Sequence, residues 1–169
     1  PGASKGAQAI YNQLQNTLFA DLYTSAVDQK IAFGTPTGYS NARYIDHITK
    51  TVEEISEQVK ANLQRSNSCL VLSGDHSTAA GTIAGVKKAY PDQRLGVVWF
   101  DAHADIHSPH TSPSGNLHGM PLAVATDQDN TISQTRSIEA FENKAWEILK
   151  GVSGFSPTVL PSDLVFVGI

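Results

Sequence analysis

Two clusters of polar side chains lie near the middle of the sequence, and each follows a short apolar run. The first cluster is Ser73-Gly74-Asp75-His76-Ser77, and the second is Asp101-Ala102-His103-Ala104-Asp105. Both apolar runs are predicted strands, and open α/β sheets bind their ligands beyond the carboxyl ends of parallel strands. We therefore expect the side chains that carry the chemistry to meet at one edge of a sheet.

The second cluster has the composition of a metal site. In an extended segment, Asp101, His103 and Asp105 would share one face. Two carboxylates and an imidazole at the mouth of an apolar strand are poorly solvated unless a cation neutralises them. Oxygen and nitrogen donors without sulfur suit Mn, Fe or Zn, and carboxylates can bridge two metals about 3.5–4 Å apart that activate water. The alternative interpretation is a helix cap followed by a solvated loop.

The first cluster adds His76 as a fourth candidate ligand if it lies across adjacent strands from the second. Asp75 is predicted to orient a ligand or to cap the following helix. The sequence contains no nucleophile elbow, phosphate-binding loop or dinucleotide fingerprint. Two further histidines lack a partner pattern and are predicted to be solvated: His47 and His110. Two residues are predicted to be strand core: Cys69 and Trp99.

Helices are predicted where apolar residues recur at a helical period. The clearest stripe is formed by Ile45, Ile48, Val52, Ile55, Val59 and Leu63. A second helix over 77–90 has small residues on one side, which suits close packing on a sheet. Weaker patterns predict further helices over Pro1 to about Tyr23, near 118–126 and over 138–149. Turn-forming residues predict loops over 33–38 and 106–116.

Three short apolar runs are predicted strands: Cys69–Leu72, Leu95–Phe100 and Leu164–Val167. The second is apolar at successive positions, as in parallel strands buried on both faces. Strands that alternate with helices indicate an α/β fold with an open parallel sheet flanked by helices. The 169 residues are enough for one domain.

Composition excludes several partners. The net charge of −4 gives no reason to expect a nucleic acid or an anionic membrane, and the longest unbroken apolar run has four residues, Val97–Phe100, far below the ~20 that span a bilayer. The single cysteine, Cys69, favours a reducing compartment. We therefore expect a cytoplasmic protein without a nucleic acid or membrane partner.

The two clusters, followed by Ser114-Gly115-Asn116-Leu117-His118-Gly119-Met120-Pro121 and the strand at 163–169, resemble the ureohydrolases and, within them, the arginases. The resemblance implies a three-layer α/β/α fold, here incomplete at its C-terminal end. It also implies a binuclear manganese hydrolase, with two Mn²⁺ per complete active site. Such an enzyme cleaves the guanidinium group of L-arginine to urea and L-ornithine by attack of a metal-bridging hydroxide.

The resemblance also implies roles for individual residues. The metal ligands would be His76, Asp101, His103 and Asp105. His118 would be the catalytic histidine that moves protons. Ser114 and Asn116 would hold the amino-acid end of the substrate, as would His107, which stands where arginases usually carry an asparagine. Ser73 is a second departure, because the usual residue before Gly74 is glycine.

Two alternatives stay open. The protein could be another ureohydrolase, of the agmatinase, guanidinobutyrase or formimidoylglutamase type, or a non-catalytic metal-binding or interaction domain on the same scaffold. We expect residues 1–169 to form a single arginase-like domain that is the N-terminal portion of a longer catalytic domain and is inactive alone. By resemblance, the protein should assemble as a homotrimer or homohexamer.

Overall fold

Helices and strands alternate along the chain in the computed structural model, which describes residues 3–17, 25–27, 38–65 and 68–169. The elements are α1 (Gly6–Leu14), α2 (Ile45–Arg65), α3 (Ala79–Ala89), β1 (Val97–Phe100), α4 (Pro121–Thr126), α5 (Ala140–Lys150) and β2 (Leu164–Val167). Three predicted helices and the strand Leu164–Val167 are confirmed as α3, α4, α5 and β2. The predicted N-terminal helix is confirmed over α1, whereas its continuation through 18–23 and the predicted loop at 33–37 lie outside the described residues.

The two strands form a parallel pair, with Val97 opposite Leu164 and Phe100 opposite Val167. This pair and its flanking helices confirm the α/β class with a parallel sheet, here short and incomplete. The prediction that β1 is buried on both faces is wrong, because Trp99 is buried whereas Val98 and Phe100 are 68% and 82% exposed. Helices cover only one face of the described sheet.

The predicted strand Cys69–Leu72 does not form, although its residues are apolar. It has no ladder partner among the described residues, and a strand needs the backbone of a neighbour to satisfy its own donors and acceptors. Cys69 is exposed and Leu70 is 62% exposed, so the prediction that Cys69 is strand core is wrong. A cavity of about 550 Å³ opens between this segment, α3 and β1.

The apolar stripe of α2 is confirmed, and it packs against α3. Ile45, Val52, Ile55 and Val59 are buried, and the helix ends at Arg65. The small face of α3 lies on this helix rather than on the sheet as predicted. A Cβ on Gly81 would stand 2.8 Å from the carbonyl oxygen of Val52, and one on Gly85 would stand 2.6 Å from that of Ser56. Small residues permit close approach by any backbone, so their pattern could not identify the neighbour.

Two apolar clusters form the core, one among the helices and one between the helices and the sheet. One cluster surrounds the fully buried Trp146 of α5 and includes Met120 and Leu149. The other surrounds Trp99 of β1 and includes Leu122 of α4. In the part of the chain that the structure describes, no helix has both the length and the apolar character needed to cross a membrane.

Candidate metal centre

Three of the four predicted metal ligands lie together beyond the carboxyl end of β1. The Nδ1 atom of His76 is 3.2 Å from Oδ2 of Asp101 and 2.8 Å from Oδ2 of Asp105. One potential ligand atom from each residue lies within 4.8 Å of the others. One nitrogen and two oxygen donors are thus gathered at the strand end where the sequence predicts a metal site.

His76 is held by the turn before α3 and by an aromatic neighbour. Asp75 caps the 3₁₀ helix His76–Thr78, and its Oδ1 accepts a hydrogen bond from the Ser77 N–H at 2.9 Å, which confirms the predicted cap. The imidazole of His76 stacks on Trp99, with ring centroids 4.6 Å apart and planes 17° apart. Since Trp99 is buried, it fixes one face of the ring.

Asp101 and Asp105 converge through a bend rather than an extended segment. Oδ1 of Asp101 accepts a hydrogen bond from the His103 N–H at 2.9 Å, which turns the chain directly after β1. Asp105 has a φ of +46°, in the left-handed region that aspartate tolerates better than most residues. The expectation that residues 101–105 are extended is therefore wrong, although both carboxylates still reach one place.

His103 lies beside this group but outside it. Its side chain is 82% exposed, and its Nδ1 is 3.5 Å from Oδ1 of Asp101, the oxygen that does not face His76. The Trp99 indole N–H donates to the His103 carbonyl oxygen at 3.2 Å. Trp99 therefore supports the cluster on two sides, a role that the sequence pattern did not reveal because a tryptophan in an apolar run is typical of core.

The two carboxylates differ in their electrostatic surroundings. The pKa of Asp101 is lowered chiefly by the backbone N–H of His103, with a further contribution from His76. The pKa of Asp105 is raised by burial, and the negative charge of Asp101 raises it further. Adjacent carboxylates, one of them buried, are stabilised by a cation. This donor set of one imidazole and two carboxylates fits a divalent transition metal ion.

The predicted substrate loop lies against residues that precede α2. Gly115 has a φ of +72°, and a Cβ there would stand 2.3 Å from the carbonyl oxygen of Ser40. The Arg43 N–H donates to the Gly115 carbonyl oxygen at 2.8 Å. Ser114 is exposed, and its Oγ accepts from the Asn116 N–H at 3.2 Å. The loop thus presents Ser114 at the surface on a backbone that only glycine at 115 fits.

The predicted catalytic histidine, His118, lies in the 3₁₀ helix Leu117–Gly119. Its side chain is exposed, while Leu117 and Met120 on either side of the turn are buried. The charge of protonated His118 is the smallest of the influences on the pKa of Asp105. The histidine is therefore near the cluster, without a hydrogen bond to it among those formed by the described residues.

The other histidines have distinct surroundings. His107 is exposed, and its Nδ1 lies 3.1 Å from Oγ1 of Thr111. His47 is half-exposed beside Asp46, which confirms the prediction that it is solvated. The same prediction is wrong for His110, whose Nδ1 is buried and has no hydrogen-bond partner among the described residues. Ser108 and Pro109 in the same loop are also fully buried, and the turn-forming composition of residues 106–116 gave no sign of this burial.

Comparison with known proteins places this fold in one class, that of α/β proteins built like arginases. A family model described as "Arginase family" matches residues 1–156. The chain is 39% identical over 132 residues to the arginase of Bacillus caldovelox, an alignment that covers 78% of this chain and 38% of that protein. It is 47% identical over 89 residues to the arginase of Entamoeba histolytica, covering 52% and 30% respectively.

Solved structures agree. The arginase structure from Bacillus caldovelox has a TM-score of 0.66 at 30% identity and covers 100% of this chain and 50% of that one. For the arginase of Helicobacter pylori the TM-score is 0.70 at 22% identity, with coverage of 98% and 52%, which supports the fold alone. The chain belongs to the arginase family, and it spans less than two-fifths of the length of the curated relatives quoted above.

Proposed function

We propose that this chain contributes part of the active site of an arginase, a binuclear manganese hydrolase that converts L-arginine to urea and L-ornithine. The observation that carries the proposal is the approach of His76 Nδ1 to Asp101 and Asp105, at 3.2 and 2.8 Å, in a member of the arginase family. In this proposal residues 1–169 belong to a single, longer catalytic domain.

His76, Asp101 and Asp105 would hold one ion, and Asp101 with His103 would contribute to a second. The two oxygens of Asp101 already face different histidines, His76 and His103, which is the arrangement needed for a carboxylate shared between two ions. When bound, Mn²⁺ would supply an activated water for attack on the guanidinium carbon. Trp99 supports both histidines, because its ring stacks on the His76 ring and its indole N–H donates to the His103 carbonyl oxygen.

His118 would move a proton to the departing amine, because an imidazole titrates near neutral pH and can both accept and donate. Its exposed position on a turn anchored by buried neighbours leaves the ring accessible to a substrate. Ser114, Asn116 and His107 would bind the amino-acid end of the substrate. A cytoplasmic setting and a homotrimer or homohexamer complete the proposal; the single cysteine supports the former.

The test is metal binding and urea release with matched aspartate variants. Asp105→Asn should weaken Mn²⁺ binding at least about tenfold by calorimetry, because it removes a negative charge and one oxygen donor. Asp92→Asn is the control, since Asp92 is exposed in the turn between α3 and β1, before the strand whose carboxyl end carries the cluster. Equal Mn²⁺ affinity of the two variants would contradict the proposed site.

Substrate choice is tested on the complete gene product that contains these residues. Arginine, agmatine and guanidinobutyrate are compared by urea release with Mn²⁺ present. We expect arginine to have the highest kcat/KM. Preference for agmatine or guanidinobutyrate would assign the protein to another ureohydrolase type, and Mn²⁺ binding without urea release from any of them would favour a non-catalytic metal-binding domain.

A further inference from the structure

The Thr111 hydroxyl lies between two nitrogen atoms and has a defined role toward each. The backbone N–H of Ser108 donates to Oγ1 of Thr111 at 3.0 Å, and Nδ1 of His107 lies 3.1 Å from the same oxygen. Because an amide N–H is only a donor, Thr111 acts there as an acceptor, and its own proton is left to donate to His107. This arrangement requires Nδ1 to be unprotonated, so the neutral ring carries its hydrogen on Nε2.

The opposite tautomer satisfies fewer groups. If Nδ1 carried the hydrogen, Thr111 would accept two hydrogen bonds, and its own proton would have no partner in the hydrogen bonds found for the described residues. Thr111 is half-buried, and polar groups that are shielded from water are generally hydrogen-bonded. The local hydrogen bonds therefore favour the Nε2–H tautomer of His107.

The loop around Thr111 is fixed on both sides of His107. Ser108 is fully buried, and its Oγ donates to the Asp129 carbonyl oxygen. On the other side, the Asn130 side-chain amide donates to the Ile106 carbonyl oxygen at 2.6 Å. Two neighbouring residues of the loop after α4 thus hold the residues that flank His107.

Asp129 is in turn held by α5. Its Oδ1 accepts from the Trp146 indole N–H at 2.7 Å and from Nζ of Lys150 at 2.9 Å. Trp146 is fully buried, and Lys150 is 8% exposed. Buried hydrogen-bonded charges resist rearrangement because an unpaired partner is costly. The hydroxyl of Thr111 therefore meets His107 from a rigid support.

The backbone of His107 is also held, by the turn that carries His118. The backbone N–H of His107 donates to the Gly119 carbonyl oxygen at 3.0 Å. Cδ2, the ring carbon bonded to Nε2, is 4.0 Å from the position of a Cβ on Gly119. The Nε2 side of the ring is thus on the side of the turn that carries His118, the proposed catalytic residue.

We infer that Thr111 is a positioning residue that fixes His107 as its Nε2–H tautomer and makes the ring a neutral hydrogen-bond donor to a substrate carboxylate. A neutral imidazole oriented in this way offers a donor toward the substrate, as an asparagine amide does, at a longer reach. The carboxylate as ligand rests on the proposed function, whereas the tautomer and its dependence on Thr111 do not.

The first experiment measures the tautomer directly by ¹⁵N NMR of the histidine side chains, at a pH at which the His107 ring is neutral and without metal or substrate. We expect His107 to be predominantly the Nε2–H form in the unaltered protein and in Thr111→Ser. Thr111→Val should lower that fraction, whereas Thr51→Val should not, because the Thr51 hydroxyl donates within its own helix, to the His47 carbonyl oxygen, and in the described part of the chain it has no hydrogen bond to His107.

Thr111→Val removes the acceptor of the buried Ser108 N–H, which works against folding of that variant. The tautomer assignment does not depend on the variant, because it is measured in the unaltered protein. A predominantly Nδ1–H ring in the unaltered protein would overturn the inference. An unchanged tautomer fraction in folded Thr111→Val would overturn the role of Thr111.

The second experiment measures urea release by the complete gene product. Thr111→Val should raise KM for arginine roughly tenfold with kcat little changed, and it should leave KM for agmatine, which has no carboxylate, unaltered. In a His107→Asn background the same substitution should no longer affect KM. A fall in kcat with constant KM would contradict the positioning role, whereas no urea from either substrate would refute the proposed function and leave the tautomer result standing.

Discussion

The candidate metal cluster and the neighbouring loop at 106–116, which is the proposed substrate loop, are held in place by different means. His76, Asp101 and Asp105 are positioned by local turns and by one ring stack, and their charged atoms mainly face each other. The loop at 106–116 is instead fixed by groups far away in sequence. Glu142, 1% exposed, accepts from the backbone and side-chain N–H groups of Asn41 at 2.8 and 2.9 Å, next to the backbone that contacts Gly115.

Because of this difference, stability should depend mainly on the supports of the loop, and metal binding should depend mainly on the cluster. A buried polar group that loses its partner costs free energy of unfolding, so the supports of the loop should be sensitive to substitution. Like charges gathered at a strand end contribute little to stability without a cation. We therefore expect substitutions that remove the supports of the loop to lower the free energy of unfolding, and substitutions in the cluster to weaken metal binding while the fold persists.

The largest effect is expected for Gly115→Ala. The new Cβ would stand 2.3 Å from the Ser40 carbonyl oxygen at a φ of +72°, so both the clash and the strained backbone act against folding. We expect a loss of at least about 3 kcal/mol in the free energy of unfolding, measured by equilibrium denaturation with urea.

The matched control is Gly154→Ala, where φ is +79° and nothing lies within 4 Å of the added Cβ. It should cost only about 1 kcal/mol, from backbone strain alone. Equal losses for the two variants would show that the contact between the substrate loop and Ser40 does not support the fold.

Sequence reasoning succeeded where local pattern determines structure. The apolar stripe of α2 predicts a helix, and the structure confirms it, because the period of the stripe specifies one buried face. Asp75 caps the 3₁₀ helix His76–Thr78, as its place before a predicted helix indicates. Residue type and position after a strand predict Asp101 and Asp105 as metal ligands, although the backbone between them bends instead of continuing the strand. Their roles, with those of His103 and His118, remain predictions.

The predictions that proved wrong, and the contacts that were not predicted, share a cause: each depends on residues that are distant in sequence. Residues 69–72 have a strand-like composition, but a ladder needs a neighbouring backbone. The small residues on one face of α3 predict close packing against another element, but they do not indicate that this element is α2. The contacts of Asp129 with Trp146 and Lys150 join residues 17 and 21 positions apart, and no spacing rule predicts them. The supports of the loop were therefore missed, whereas the cluster was found.

An intermediate effect is expected from the charged support at the end of α5. Lys150 lies 2.8 Å from Asp127, and together with the Ser156 hydroxyl it lowers the pKa of Asp127. Because the pKa in the folded state is below that in the unfolded state, the stabilisation is complete above the ordinary aspartate pKa of 3.8 and is lost as pH falls through the pKa of the folded state.

Asp127→Asn keeps a residue that tolerates the φ of +54° at this position. At neutral pH it should cost less than about 1 kcal/mol, since solvent screens this partly exposed pair. The difference from the unaltered protein should shrink as pH falls below 3.8. A difference that stays constant from pH 7 to below that value would show that Asp127 acts through its shape or its contact with the Ser156 hydroxyl, rather than through its charge.

The smallest effect on stability is expected for Asp105→Asn without metal, although this variant should lose most of its Mn²⁺ affinity. Burial and the charge of Asp101 both raise the pKa of Asp105, whereas His76 lowers it, so a neutral side chain removes repulsion as well as attraction. The amide also tolerates the φ of +46°, and the Leu122 N–H still donates to the residue-105 carbonyl oxygen. We expect the free energy of unfolding in the presence of a chelator to change by less than about 1 kcal/mol. A loss as large as that of Gly115→Ala would mean that the metal cluster supports the fold as strongly as the substrate loop does, and the contrast between the two regions would fail.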